Sequence, residues 1–131
     1  GKPVSTYVPF RNGLFISTAA SVALSKGCSV IYYGAHSDDA AGSAYPDCSD
    51  EFNNAMADAV YIGSGKQLEI KAPFVNLTKA DIVKEGLRLK VPYELTWSCY
   101  EGGDKPCGKC GTCIDRAKAF EKNGVKDPAL N

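Results

Sequence analysis

The sequence lacks net charge, because fifteen lysine and arginine residues balance fifteen aspartate and glutamate residues among its 131 positions. Without an excess of positive charge there is no long-range attraction for a phosphate backbone, so we expect no nucleic-acid partner. The sequence also lacks any apolar run near the roughly 20 residues that span a bilayer, and no basic and apolar leader opens it. From these absences we expect a cytoplasmic protein that does not contact a membrane.

Histidine is nearly absent, with one residue, whereas cysteine occurs six times. Four cysteines form the pattern Cys99-x7-Cys107-x2-Cys110-x2-Cys113. Four thiolates with short spacings are typical of a tetrahedral structural zinc site. Two alternatives remain open: reduced or disulfide-bonded cysteines, and an iron–sulfur cluster, whose ligand spacing the Cys-x2-Cys-x2-Cys run overlaps. We expect one structural zinc ion per chain.

Hydrophobic periodicity predicts helices that alternate with two strands, which indicates parallel βαβ units and an α/β fold. The strands are predicted at residues 29–35, as a segment buried on both faces of a sheet, and at residues 68–72. Four helices are predicted. The first runs from about Leu14 to Gly27 and the second follows a cap at Ser49, while the third runs from a capping box at Thr78–Asp81 to Leu89 and the fourth follows Cys113 and ends at Asn123 and Gly124. Because two strands make a small sheet, we expect the chain to be part of a larger domain.

Polar residues follow the first predicted strand, at the sheet edge where open α/β folds bind ligands. Among them, Asp38 and Asp39 could hold Mg²⁺ with nucleotide phosphates or accept a proton. The alternative is a solvated turn, in which aspartate pairs are common. His36, the single histidine, has no fixed role on this evidence.

Two other pairs are candidates for ligand binding. Arg11 and Asn12 precede the first helix, where a guanidinium and helix N-terminal amides could hold an anion; otherwise Asn12 is a cap and Arg11 a surface charge. Tyr45 could stack on a flat purine-like ring and Asp47 could accept its N–H groups, unless Pro46 simply makes a rigid turn here.

Lys79 lies at a predicted helix N-terminus, where a cation opposes the helix dipole. A residue placed against its local preference suggests a function, here the neutralisation of phosphate charge, although an exposed lysine is the ordinary case. Cys48 has no histidine nearby in sequence to activate it, so we interpret it as a packing residue.

Five stretches together resemble the 7-cyano-7-deazaguanine synthases of the queuosine pathway, in order and over nearly the whole chain: TYVPFRNGLF from Thr6, HSDD from His36, YPDC from Tyr45, LTKADIV from Leu77 and ELTWSCYEGGDKPCGKCGTC from Glu94. The resemblance implies a Rossmann-like parallel sheet with flanking helices, a C-terminal zinc loop and a homodimer. Residues 1–98 would be the C-terminal part of a nucleotide-binding domain, with the zinc loop and terminal helix of residues 99–131 packed on it.

The resemblance also implies a reaction in which 7-carboxy-7-deazaguanine and ammonia give the nitrile at the expense of ATP bound with Mg²⁺. It places Asp38, Asp39 and Lys79 in catalysis, and Arg11, Asn12, His36, Tyr45 and Asp47 in substrate or ATP binding. The Ser-Gly-Gly-x-Asp-Ser pyrophosphate loop of such proteins is absent from these residues. We therefore expect an N-terminal portion outside this sequence, without which the chain is inactive. The alternatives are a zinc-ribbon binding module and a catalytically inactive homologue.

Overall fold

The computed structural model describes residues 5–130 as a mixed α/β protein. The described chain divides into two compact units, one ending at Leu77 and one beginning at Thr78. In chain order the regular elements are α1 (Arg11–Ser25), β1 (Val30–Tyr32), α2 (Ser37–Ala40), α3 (Asp50–Gly63), β2 (Glu69–Lys71), α4 (Lys79–Arg88) and α5 (Gly111–Lys122), with 3₁₀ turns at residues 41–43, 46–48, 93–95 and 128–130. No helix of this described part is long and apolar enough to cross a bilayer.

Helix α1 ends where the sequence predicts. Gly27 adopts a left-handed φ of 70°, its N–H donates to the carbonyl of Leu24 at 3.1 Å, and the N–H of Cys28 donates to the carbonyl of Ala23 at 2.9 Å. These two bonds satisfy carbonyls that the helix end would otherwise leave unpaired. Leu14 and Phe15, at the start of the predicted apolar period, do not face a core, because they are 62% and 58% exposed.

Strands β1 and β2 pair in parallel, with Ile31 opposite Ile70, as the alternation of helices and strands predicts. Both are shorter than predicted, at three residues each. The expectation that the first strand is buried on both faces is wrong: Tyr32 is 65% exposed and Ile31 is only partly buried. In the described residues β1 pairs with one strand and α1 packs against it, and these neighbours leave the Tyr32 side chain largely exposed.

The second unit is built on the packing of α4 against α5. Its core contains Val83, Ala119 and Phe120, and the ring of Tyr93 meets that of Phe120 edge to face at 5.0 Å. The predicted capping box is confirmed, since Thr78 accepts from the Asp81 N–H and the Asp81 carboxylate accepts from the Thr78 N–H. Helix α4 therefore belongs with the cysteine-bearing helix in one compact unit, while the predicted domain division after residue 98 stays a prediction.

Candidate metal centre and ligand cleft

The four clustered cysteines come together at the start of α5. The sulfur atoms of Cys99, Cys107, Cys110 and Cys113 all lie within 4.8 Å of one another, and those of Cys107 and Cys113 are 4.0 Å apart. A zinc ion with four sulfurs at about 2.3 Å places neighbouring sulfurs about 3.8 Å apart. The donor set and its spacing therefore fit one tetrahedral ion. A cluster of several irons would hold the sulfurs farther apart, because irons and sulfides would lie between them.

Backbone N–H groups point at the cysteine sulfurs. The Cys107 N–H donates to the sulfur of Cys99 at 3.4 Å, and the N–H groups of Lys109 and Cys110 donate to that of Cys107 at 3.5 and 3.3 Å. Such donors stabilise a thiolate, the form that binds metal. The turn that allows this passes through Gly108, whose φ is 72°, a conformation that glycine adopts without strain.

Ionisation within the cluster is uneven. The backbone N–H of Cys107 is the main cause of the lowered pKa of Cys99. Burial raises the pKa of Cys113 to about 12. Like charges this close oppose one another, so four thiolates require a cation among them. The cluster could hold a metal ion for that reason.

A separate cleft of about 350 Å³ lies in the first unit, between α1 and β1. Of the residues predicted to bind ligands or act in catalysis, it brings together Arg11, Asn12 and Asp39. The guanidinium of Arg11 lies over the ring of Phe15 at 5.6 Å. The cleft thus combines an apolar wall with a cation and a carboxylate, a composition typical of small-molecule sites.

His36 and Asp39 form a close pair next to this cleft. The Nε2 atom of His36 is 3.2 Å from the Asp39 carboxylate, and His36 is buried, with its Nδ1 atom lacking a hydrogen-bond partner. Asp38 is an exposed residue of the short helix α2. The structure therefore gives the two aspartates different surroundings, and of these two only Asp39 lines the cleft.

Asp47 is buried and bonded to the start of α1. Its carboxylate accepts from the backbone N–H of Asn12 at 2.9 Å, and its carbonyl accepts from the Asn12 side chain at 2.9 Å. The helix N-terminus at Asn12 thus already faces an internal anion. Ligand binding by Asn12 and Asp47 stays a prediction, but both residues have a structural role that the sequence did not reveal.

Cys48 and Tyr33 complete the inner lining of the cleft. Burial, followed by the charges of Asp39 and Asp47, raises the pKa of Cys48 to about 11, so its thiol is neutral at physiological pH, in agreement with a packing role. Burial also raises the pKa of Tyr33 to about 12, and its hydroxyl has no hydrogen-bond partner. Sequence reasoning missed Tyr33, and its position near the end of a strand was the available signal.

The other two predicted residues lie elsewhere. The hydroxyl of Tyr45 is 2.6 Å from that of Thr6, and its ring meets that of Tyr7 edge to face at 6.3 Å. Lys79 is the first residue of α4, in the second compact unit. Their roles toward substrate or ATP stay predictions.

The fold and the cysteine cluster define an α/β protein with a small parallel sheet and a four-cysteine cluster that could hold a metal ion. A family model described as "Queuosine biosynthesis protein QueC" matches residues 1–124, and the chain belongs to this family.

Similar proteins carry a consistent name. The chain is 54% identical over 127 residues to the 7-cyano-7-deazaguanine synthase of Archaeoglobus fulgidus, covering 96% of this chain and 52% of that protein. It is 50% identical over 123 residues to the synthase of Caldicellulosiruptor bescii, covering 94% of this chain and 55% of that protein. For the synthase of Campylobacter fetus the identity is 48% over 123 residues, covering 93% of this chain and 54% of that protein. The chain spans about half the length of the curated relatives it matches.

Proposed function

We propose that these residues belong to a 7-cyano-7-deazaguanine synthase, which converts 7-carboxy-7-deazaguanine and ammonia to the nitrile with ATP. The observation that carries the proposal is the 54% identity to a protein of that name along 96% of this chain. The proposal includes a Rossmann-like sheet larger than the two strands described, a pyrophosphate-binding loop outside these residues, a homodimer and a cytoplasmic location.

The chemistry requires activation because a carboxylate would have to expel oxide when ammonia attacks it. In the proposed reaction a carboxylate oxygen attacks the α-phosphorus of ATP and pyrophosphate departs. Ammonia then displaces AMP and leaves an amide. The amide oxygen then attacks a second ATP, with loss of pyrophosphate and one amide proton, and departure of AMP with the other proton gives the nitrile. Binding energy directed at the charge that develops in these steps accelerates them.

The cleft between α1 and β1 supplies suitable groups for this reaction. Arg11, at the first position of α1, is proposed to bind an anionic oxygen of the substrate carboxylate or of a phosphate. Asp39 is proposed, with Asp38, to hold Mg²⁺ bound to nucleotide phosphates or to accept a proton from ammonia. The contact of the Asp39 carboxylate with the buried His36 side chain would fix the direction of that carboxylate.

Zinc is proposed as a structural ion at the four cysteines. When bound, it supplies no open coordination position and so stabilises the fold instead of the reaction. The cysteines and their N–H donors join the chain that precedes α5, from Cys99 to Cys110, to the start of that helix. Loss of the ion is therefore expected to act on activity through folding.

The test is nitrile formation by the full-length protein. The purified protein is supplied with 7-carboxy-7-deazaguanine, ammonium, ATP and Mg²⁺, and the product is identified by mass spectrometry. Arg11→Gln should reduce turnover by about 10²-fold, whereas Lys26→Gln, at the opposite end of the same helix, should not. A protein that binds polynucleotide but forms no nitrile would instead be the zinc-ribbon module, and wild-type turnover in Arg11→Gln would remove the cleft from the proposal.

A further inference from the structure

The second unit contains a buried ion pair that the proposed reaction does not use. The Arg116 side chain is 12% exposed and that of Asp127 is 3% exposed. The guanidinium donates to both carboxylate oxygens, from Nε at 2.5 Å and from Nη2 at 2.8 Å. Burial alone would raise the pKa of Asp127, but hydrogen bonds from Arg116 and from the Ala129 N–H outweigh it and leave that pKa lowered. A two-point bond of this kind fixes both side chains in one geometry.

The same guanidinium also contacts the segment that leads to Cys99. Its Nη1 atom donates to the Thr96 hydroxyl at 2.8 Å and its Nη2 atom to the Tyr93 carbonyl at 3.2 Å. It lies over the ring of Phe120 at 5.5 Å from the centroid. Arg116 therefore joins α5 to two other parts of the unit: the 93–98 segment and, through Asp127, the C-terminal segment of residues 125–130.

These contacts matter because the metal centre is assembled from two stretches of chain. Cys107, Cys110 and Cys113 lie at or just before the start of α5, whereas Cys99 directly follows the 93–98 segment. A further bond, from the Thr112 hydroxyl to the Ser98 carbonyl at 2.6 Å, holds this segment against the first turn of α5. Fixing the segment before the ion binds lowers the ordering entropy that binding must overcome.

We propose that Arg116 is a positioning residue for the metal centre. Through Thr96 and Tyr93 it holds the segment that places Cys99, and Asp127 holds Arg116. The docking of residues 125–130 and the occupancy of the four cysteines are then coupled. Such coupling is reciprocal: releasing the C-terminal segment weakens metal binding, and removing the metal loosens the C-terminal segment by the same free energy.

The first test measures zinc affinity in Asp127→Asn, which keeps the size of the side chain and removes its charge. Partners that orient metal ligands typically contribute 10- to 100-fold in affinity, and a loss of about tenfold is expected here. The affinity is measured by competition with a chromophoric chelator. Glu85→Gln is the matched control, because Glu85 also holds an arginine by two bonds, from Arg88, but does so on the exposed surface of α4. It should leave the affinity unchanged.

The second test follows hydrogen exchange of the amides in residues 125–130 with and without zinc. In the wild-type protein protection should fall when zinc is removed, while α4, in the same unit, keeps most of its protection. In Asp127→Asn the C-terminal amides should already exchange fast, and zinc should change them little. If Asp127→Asn fails to fold, Thr96→Val removes a single bond of Arg116 and is expected to weaken zinc binding in the same direction.

Unchanged zinc affinity in a folded Asp127→Asn or Thr96→Val variant would overturn the proposal. It would also be overturned if hydrogen exchange in residues 125–130 were the same with and without zinc. An equal loss of protection in α4 and in residues 125–130 on zinc removal would overturn it too, because the metal would then act on the whole unit. Neither measurement depends on nitrile formation, so this inference and the proposed function can fail independently.

Discussion

Asn12 and Asp47 are joined by two hydrogen bonds although they lie 35 positions apart in sequence. Helix α1 begins after Phe10, which has a left-handed φ of 57° and makes no side-chain capping bond. The carboxylate of Asp47 therefore provides the acceptor and the negative charge that a helix N-terminus favours. The 3₁₀ turn that contains Asp47 thus caps a helix that is distant in sequence.

The first prediction follows from this cap. Asp47→Ala should lower the free energy of unfolding by about 0.5–2 kcal/mol, the usual range for losing an N-cap acceptor, as measured by urea denaturation. Asp58→Ala, an exposed position on α3, serves as the control and should change stability by less than about 0.5 kcal/mol. Unchanged stability in Asp47→Ala, accompanied by a raised KM for substrate, would instead make Asp47 a ligand-binding residue.

The second prediction concerns Cys28 and Cys48. Cys28 is exposed and Cys48 buried, and the pKa of Cys48 is raised to about 11 by burial and by nearby carboxylates. Because a thiol reacts as its thiolate, a raised pKa means low reactivity at neutral pH and a rate that increases up to about pH 11. In the metal-loaded protein, iodoacetamide at neutral pH should label Cys28 and spare Cys48. Peptide mass spectrometry reads the two sites separately, and equal labelling would restore a nucleophilic role for Cys48.

The third prediction tests the metal. Elemental analysis should find one zinc ion per chain, and Cys110→Ser should lower zinc affinity by more than the roughly 10- to 100-fold that residues outside the ligand set contribute. The melting temperature should fall with it, since metal binding contributes folding free energy. Cys28→Ser controls for a cysteine outside the cluster. Iron with inorganic sulfide in the pure protein, or full zinc content and melting temperature in Cys110→Ser, would refute the assignment.

Local signals in the sequence predicted local structure well. The Thr78–Asp81 capping box, the Ser49 cap of α3, the left-handed Gly27 and the cysteine spacing each depend on residues a few positions apart, and the structure contains each of them. The parallel pairing of the two strands also followed from the alternation of elements.

Distant partners were not predictable in the same way. Nothing near Asp47 in sequence indicates that it caps α1, and nothing near Asp127 indicates its bond to Arg116. The apolar character of the first strand predicted that both of its faces are buried, but burial depends on what packs against an element, and in the described residues Tyr32 is largely exposed. Apolar pattern thus predicted the element type correctly and its surroundings incorrectly.

The last prediction concerns Lys79, the first residue of α4, which follows the Thr78 cap. A cation there opposes the helix dipole by about 0.3–1 kcal/mol, so Lys79→Ala should leave the free energy of unfolding unchanged or slightly increased. If Lys79 neutralises charge that develops on the phosphates, the same change should lower the turnover of the full-length protein by about 10²-fold.

Lys84→Ala, on the exposed surface of the same helix, is the matched control and should affect neither quantity. The measurements are ATP-dependent nitrile formation and thermal melting for each variant. A decrease of stability and turnover together in Lys79→Ala would make Lys79 a structural residue. Wild-type turnover would make it an ordinary surface lysine. Only lost turnover with retained stability supports a catalytic Lys79, because a structural contact and a charge that acts on the reacting phosphates differ in that one respect.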